Sequence, residues 1–238
     1  MSEIMLSVDS LTVKYGEMTA VDNVSMIIHK GEMVSVLGPN SSGKTTLMNT
    51  IAGLNSPCGG EISLEGRSLN GLSSDKIVEL GVSLVPQGGR CFSRMSVFDN
   101  LMVGSYSKRS RRSAKSSLDR VYELFPVLYE KRSQPAGSLS GGQRQMVAIG
   151  RALMSCPRLL LFDELSLGLA PVVIKDIYSA IKHISREEDT AIVMVEQDTK
   201  RAMKMTDRTY IMLKGNVVLE GRPAELSDDA VKKAYFGS

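Results

Sequence analysis

"LGPNSSGKTTLMN", residues 37–49, decides how the rest of the chain is read. It has the form G-x-x-x-x-G-K-[ST], with Gly38, Gly43, Lys44 and Thr45 at the fixed positions. Glycines let such a turn curl until its backbone N–H groups point inward at an anion. A helix starting near Gly43 adds the partial positive charge of its N-terminus. From there Lys44 can reach the β- and γ-phosphates of a nucleotide, and the Thr45 hydroxyl can ligate Mg²⁺. The flanks agree: "EMVSVLG" is an apolar run suited to a buried strand, and "TTLMNTIAGL" reads as a helix. An ordinary strand–turn–helix corner is the competing reading, and this context weighs against it.

The 238 residues leave room for one large domain or two small ones. The apolar and charged fractions are ordinary for a soluble globular protein. A net charge of +3 gives no reason to expect nucleic acid. Cys58, Cys91 and Cys156 are scattered and form no C-x-x-C pair, which points to a reducing compartment without a disulfide or zinc framework. No apolar run approaches the roughly 20 residues of a membrane span. "MSEIMLSVDS" lacks the basic and apolar segments of a signal peptide. The expectation is a cytosolic protein whose membrane contact, if any, is peripheral.

Outward from the phosphate loop, "IMLSVDSLTVKY", "VSMIIH" and "MVSVLG" read as strands, "SPCGGEISL" as a Gly-rich turn, and "GVSLVPQ" as a further buried strand. Residues 88–150 change texture, becoming helical and polar. Strand and helix patterns then alternate through "RLLLFDE", "PVVIKDIYSAIKHI", "AIVMVEQ", "DRTYIMLKG" and "NVVLEG". Alternation with buried strands implies a parallel, layered α/β core. The division expected is a core of 1–87 and 151–238 with a helical insertion at 88–150. Met146, Ile149, Gly150 and Leu153 fall on one helical face, and Pro171 suits a first helical turn. His29 and His183, the only histidines, read as surface or packing residues. The basic run Lys108, Arg109, Arg111, Arg112 and Lys115 reads as a solvated helix end, with lipid headgroups or a membrane-protein loop as the less favoured partner.

A nucleotide-hydrolysing phosphate loop needs a carboxylate near the metal. "RLLLFDE" supplies one at the end of an apolar strand. Asp163 is placed to reach Mg²⁺ directly or through water, and Glu164 to polarise an attacking water. "SLSGGQRQ", residues 138–145, opens the amphipathic helix described above. Ser140 and the backbone of Gly141 and Gly142 make a second anion site at a helix N-terminus.

With "LSGGQ" between the phosphate loop and the Asp-Glu pair, the chain resembles ATP-binding-cassette (ABC) ATPases nearly end to end. "VPQGGRCFSRMSVFDNL", "DELSLGLAP", "MVEQDTKRAMKMTDRTYIMLKGNVVLEG" and the closing "VKKAYFG" are similar to the second ATPase subunit of branched-chain amino-acid importers. The matching subunit of urea or short-amide importers is a close alternative.

The resemblance implies a P-loop NTPase fold: a RecA-like parallel core, an N-terminal antiparallel β-subdomain and a helical signature subdomain. It implies ATP and Mg²⁺ as ligands. Gly38, Pro39, Asn40, Ser41, Ser42, Gly43, Lys44, Thr45 and Thr46 would bind nucleotide, with Tyr15 stacking on adenine. Thr45, Gln87 and Asp163 would organise Mg²⁺. Lys44, Glu164 and Gln197 would carry catalysis, and Ser140, Gly141, Gly142 and Gln143 would face the ATP held by a partner subunit. "LSLGLAP" would cross to that partner.

The implied partners are a paralogous ATPase or a second copy, two transmembrane permeases and, indirectly, a periplasmic or extracellular substrate-binding protein. Nucleic acid is not among them. The implied location is peripheral, on the cytoplasmic face of the cell membrane.

The chain departs from the family pattern at Ser41, where glycine is usual, at Leu165 and Leu169 in the crossing loop, and at Gln197 in place of the switch histidine. A soluble ABC ATPase of translation or DNA repair is the rival reading, but such proteins carry two cassettes or a long coiled coil. A small-molecule kinase would leave LSGGQ without a purpose.

Overall fold

A computed structural model describes residues 3–236. Met1 and Ser2 of the N-terminal segment, and Gly237 of the closing "VKKAYFG", lie outside the described residues. The chain runs β1 (Ile4–Tyr15), β2 (Met18–His29), β3 (Met33–Leu37), α1 (Lys44–Ile51), β4 (Gly59–Leu64), β5 (Arg67–Ser68), α2 (Ser74–Leu80) and β6 (Val82–Val85). Helices α3 (Val97–Val103), α4 (Lys108–Arg112), α5 (Ala114–Leu124), α6 (Pro126–Glu130) and α7 (Gly141–Leu153) follow. The remainder is β7 (Leu159–Asp163), α8 (Pro171–Glu188), β8 (Ala191–Val195), α9 (Thr199–Met205), β9 (Arg208–Leu213), β10 (Asn216–Gly221) and α10 (Asp228–Phe236).

The strands form two sheets. One is antiparallel, in the order β2-β1-β4-β5; the other runs β10-β9-β3-β8-β7-β6. The second is parallel throughout except for β10, which returns antiparallel to β9 through the two-residue turn Lys214–Gly215. Both turn residues have positive φ, 48° and 86°, as a tight hairpin of this twist requires. Every residue of β3, β7 and β8 is buried. Successive side chains leave a strand on opposite faces, so these runs feed two cores. Leu159, Leu161, Val193 and Val195 pack with α1 and the antiparallel sheet. Leu160, Phe162, Ile192 and Met194 pack with α7, α8 and the helices of the 88–150 block. That block therefore shares a core with one face of the parallel sheet.

Helix α7 is the joint. Met146, Ile149, Gly150 and Leu153 are all buried, as their spacing predicts. At Gly104, just after α3, an added Cβ would lie 2.0 Å from the Arg151 carbonyl oxygen, so only glycine lets α3 approach α7 this closely.

Two local expectations need correction, and one element was not foreseen. "SPCGGEISL" is not wholly a turn: Gly59 and Gly60 already belong to β4, at a register irregularity opposite β1. Helix α2, between β5 and β6, carries no period strong enough to be read. The basic run is only partly solvated. Arg111 and Arg112 are exposed, but Arg109 donates to the Cys156 carbonyl in the turn that follows α7.

Candidate functional site

The phosphate loop leaves β3 and enters α1 at Lys44. Its shape depends on residues of positive φ: Gly38 at 148°, Ser41 at 64° and Gly43 at 100°. At Gly38 a Cβ would sit 2.1 Å from the Met212 carbonyl oxygen, so no other residue fits. Ser41 adopts a left-handed conformation that glycine takes at lower cost, and its side chain is exposed, so it does not crowd the turn. Lys44 is 5 % exposed. Its Nζ donates to the carbonyls of Gly38 (2.9 Å) and Pro39 (2.8 Å) and lies 3.4 Å from Ser42 Oγ. Burial pulls the Lys44 pKa down, opposed by the charges of Glu164 and Asp163. Thr46 gives its carbonyl to the Thr50 hydroxyl within α1.

β7 delivers Asp163 to the same place. Thr45 Oγ1 donates to Asp163 Oδ1 at 3.1 Å. Burial raises the Asp163 pKa, and the Thr45 bond and the Lys44 charge only partly offset it. Thr45, Gln87 and Asp163 line one cleft of about 640 Å³, with Arg90 and Arg151 on its wall. The next residue, Glu164, has φ 48°, a strained value for a side chain of this size, and its N–H donates to the Val195 carbonyl at 3.0 Å. Its carboxylate is gripped by two amides. Gln87 Nε2 donates to Oε2 and Gln197 Nε2 to Oε1, both at 2.8 Å. Gln197 Nε2 is also 3.5 Å from Asn40 Oδ1, which ties the switch position to the phosphate loop.

The signature lies apart from this cluster. Ser140 caps α7: its Oγ accepts from the Gln143 N–H (3.3 Å), and Gln143 Oε1 accepts from the Ser140 N–H (3.1 Å). The side-chain bonds thus close within the turn, which leaves the N–H groups of Gly141 and Gly142 at the helix start. Tyr15 ends β1, is 48 % exposed and accepts from Asn55 Nδ2 at 2.7 Å. It touches none of the phosphate-loop groups through a hydrogen bond. His29 and His183 lie on β2 and α8 and take no part in the site.

One residue escaped the sequence reading. Glu196 is 2 % exposed and binds Ser166 and Tyr178. The available signal was an acid directly after the apolar run "AIVMV", where a strand end reaching solvent needs no carboxylate.

This fold, with a phosphate loop, an Asp-Glu strand end and a serine-capped helix that opens on two glycines, defines an ATP-binding cassette. A family model described as ABC transporter matches residues 21–166, and the chain belongs to that family. The chain is similar to the high-affinity branched-chain amino acid transport ATP-binding protein BraG of Pseudomonas aeruginosa, at 42 % identity over 234 residues, covering 98 % of this chain and 100 % of that one. Among solved structures, a nucleotide-free ATP-binding cassette from an ABC transporter superposes with a TM-score of 0.82 at 26 % identity, covering 97 % of this chain and 94 % of the other. A dimeric cassette in a post-hydrolysis state, bound to ADP and Pi, superposes at 0.77 with 27 % identity, covering 92 % and 99 %. The P-loop NTPase fold is therefore as expected, and the chain is an ATPase whose hydrolysis is coupled to transport. Among the described residues, no helix is long and apolar enough to cross a membrane.

Proposed function

We propose that the chain is the ATP-hydrolysing motor of an importer of branched-chain or related hydrophobic amino acids. The observation that carries the cargo class is identity to the Pseudomonas branched-chain subunit over essentially the whole of both chains. The site supports the motor role. Lys44 and the loop N–H groups hold the β- and γ-phosphates, and Tyr15 stacks on adenine. Thr45 Oγ1 and Asp163 Oδ1 form a pair of hard oxygen donors beside Gln87, a donor set that suits Mg²⁺ completed by phosphate oxygens and water. The metal, when bound, neutralises charge on the transferring phosphoryl group. Glu164 directs water at the γ-phosphorus, and the two glutamine amides fix the carboxylate that does so. Gln197 donates its amide where the family usually has a histidine, and it cannot change charge.

Ser140–Gln143 face the nucleotide of a second ATPase subunit, paralogous or identical, packed head to tail. Residues 88–150 form the arm that passes closure to two permeases, which are fed by a substrate-binding protein. The chain would then sit on the cytoplasmic face of the membrane. ATP acts as a removable bridge between subunits, favouring the closed pair through its higher affinity for that state.

The test is uptake of labelled leucine by cells lacking the gene and carrying it back on a plasmid. The wild-type gene restores uptake, whereas Lys44→Ala, which loses the cation aimed at the γ-phosphate, does not. Normal leucine uptake in the deletion strain, with another solute lost instead, would overturn the cargo assignment. Full uptake with Lys44→Ala would overturn the assignment of the loop.

A further inference from the structure

We propose that Glu196 is a positioning residue for ATP hydrolysis, holding the loop after β7 and the switch glutamine after β8 as one unit. The proposal rests on the reading of Glu164 and Gln197 as parts of the hydrolytic site.

Glu196 follows β8 directly and is 2 % exposed. Its Oε1 accepts from the Ser166 N–H (3.2 Å) and the Tyr178 hydroxyl (2.7 Å), and its Oε2 from the Ser166 hydroxyl (2.7 Å). Among the described residues it makes no ion pair. Burial pushes its carboxyl up, and burial together with the neighbouring carboxylate pushes the Tyr178 hydroxyl up, so the tyrosine remains a donor. The charge of Arg201 offsets only part of that burial, and a buried carboxylate with no cation in contact is expensive, so an apolar side chain of similar volume would pack at lower cost. Packing alone gives no reason for glutamate here.

The reason lies in what its bonds join. Ser166 is two residues beyond Glu164, and Gln197 is the residue after Glu196. Gln197 Nε2 donates to Glu164 Oε1, and the Glu164 N–H donates to the Val195 carbonyl. The result is a closed ring: the Glu164 side chain, the Gln197 amide, the 196–197 peptide, the Glu196 carboxylate, Ser166, and the backbone back to Glu164. Tyr178 anchors that ring to α8. If Ser166 moves with its loop, the carboxylate and the adjoining peptide move too, and the Gln197 amide turns relative to Glu164. Glu196 itself touches no nucleotide-binding group. Its loss should therefore change the rate of hydrolysis and not the affinity for ATP.

The experiment is MgATP hydrolysis by the assembled transporter, with the unfolding midpoint of each variant measured in parallel. Glu196→Ala is expected to lower kcat about tenfold and Ser166→Ala about threefold, with KM within about twofold of wild type. Glu196→Gln, which keeps an acceptor oxygen and the volume, should recover most of the loss. The double variant Glu196→Ala/Ser166→Ala should be no slower than Glu196→Ala, because both remove the same link. Wild-type kcat in folded Glu196→Ala, a loss confined to KM, or independent losses in the double variant would each overturn the proposal. Where Glu196→Ala does not fold, Ser166→Ala and Tyr178→Phe decide: reduced kcat at unchanged KM supports it, and wild-type kcat in both refutes it. If the wild-type assembly itself does not hydrolyse ATP, the fault lies with the assignment of the site and not with Glu196.

Discussion

Burial pushes the Asp163 carboxyl above its ordinary range, because neither the Thr45 hydroxyl nor the Lys44 ammonium fully replaces the water it has lost. With the folded pKa raised, the protonated acid is the form that favours the fold. Its stabilising contribution is complete below the unfolded value of about 3.9 and is lost as pH rises through the folded value. At neutral pH the ionised side chain is a net cost. Asp163→Asn keeps an oxygen for Thr45, and Lys44 keeps its two carbonyl acceptors. That variant should raise the unfolding midpoint at pH 7.5 by about 2 °C or more without nucleotide, and the gain should shrink as pH falls toward about 4. Its Mg²⁺-dependent hydrolysis should fall by roughly 10²-fold or more. Thermal unfolding across pH, beside an ATPase assay, checks both halves. A lower midpoint at neutral pH would show that the carboxylate stabilises the fold after all. At this scale the sequence was informative about identity and silent about partners. Lys44 and Thr45 could be picked out from the spacing of the phosphate-loop motif, and Asp163 and Glu164 because they end an apolar strand. Gln87 and Gln197 could not be seen to share Glu164, because 110 residues separate the two glutamines.

Among the elements, the contact of α3 with α7 is the most exacting. Gly104→Ala would drive a Cβ into the Arg151 carbonyl, and backbone on both sides leaves little to give way. We expect a loss of about 2–3 kcal/mol, or roughly 5–10 °C in the midpoint, read by thermal unfolding. A change under 1 °C would mean that α3 shifts freely on α7. Element legibility followed burial. β8 stands out as an unbroken apolar run, β7 as one that ends only at Asp163 and β3 as one interrupted only by Ser35, because both faces of each are covered. The antiparallel sheet was harder to read. Irregular register between β1 and β2, and again between β1 and β4, breaks the two-residue alternation that would have marked its faces. Gly59 and Gly60 looked like a turn because glycine in a strand is legible only as a break. Helix α2 buries only Ile77, so it never developed an apolar stripe.

For the whole molecule, the proposed pairing of two ATPase subunits can be trapped with Glu164→Gln. The variant keeps volume and loses the charge that polarises water. It should retain ATP binding, turn over roughly 10²-fold more slowly or worse, and hold the closed pair of ATPase subunits together with MgATP. Size-exclusion chromatography with and without MgATP reads the pairing. Persistent hydrolysis with no gain in dimer would remove Glu164 from its role. The signature stands at the start of α7, which is 13 residues and about 20 Å long. Its far end is clamped by Arg109 on the Cys156 carbonyl and by Gly104 against Arg151, while its near end carries Ser140 at the surface. This is a lever with a buried fulcrum. A tilt of about 5° at the clamp sweeps the near end through about 2 Å, several times the half-ångström spread that a hydrogen bond tolerates. In the proposed pairing, a grip on a neighbour's phosphate would be made or broken by a rotation small enough to leave the shared core packed.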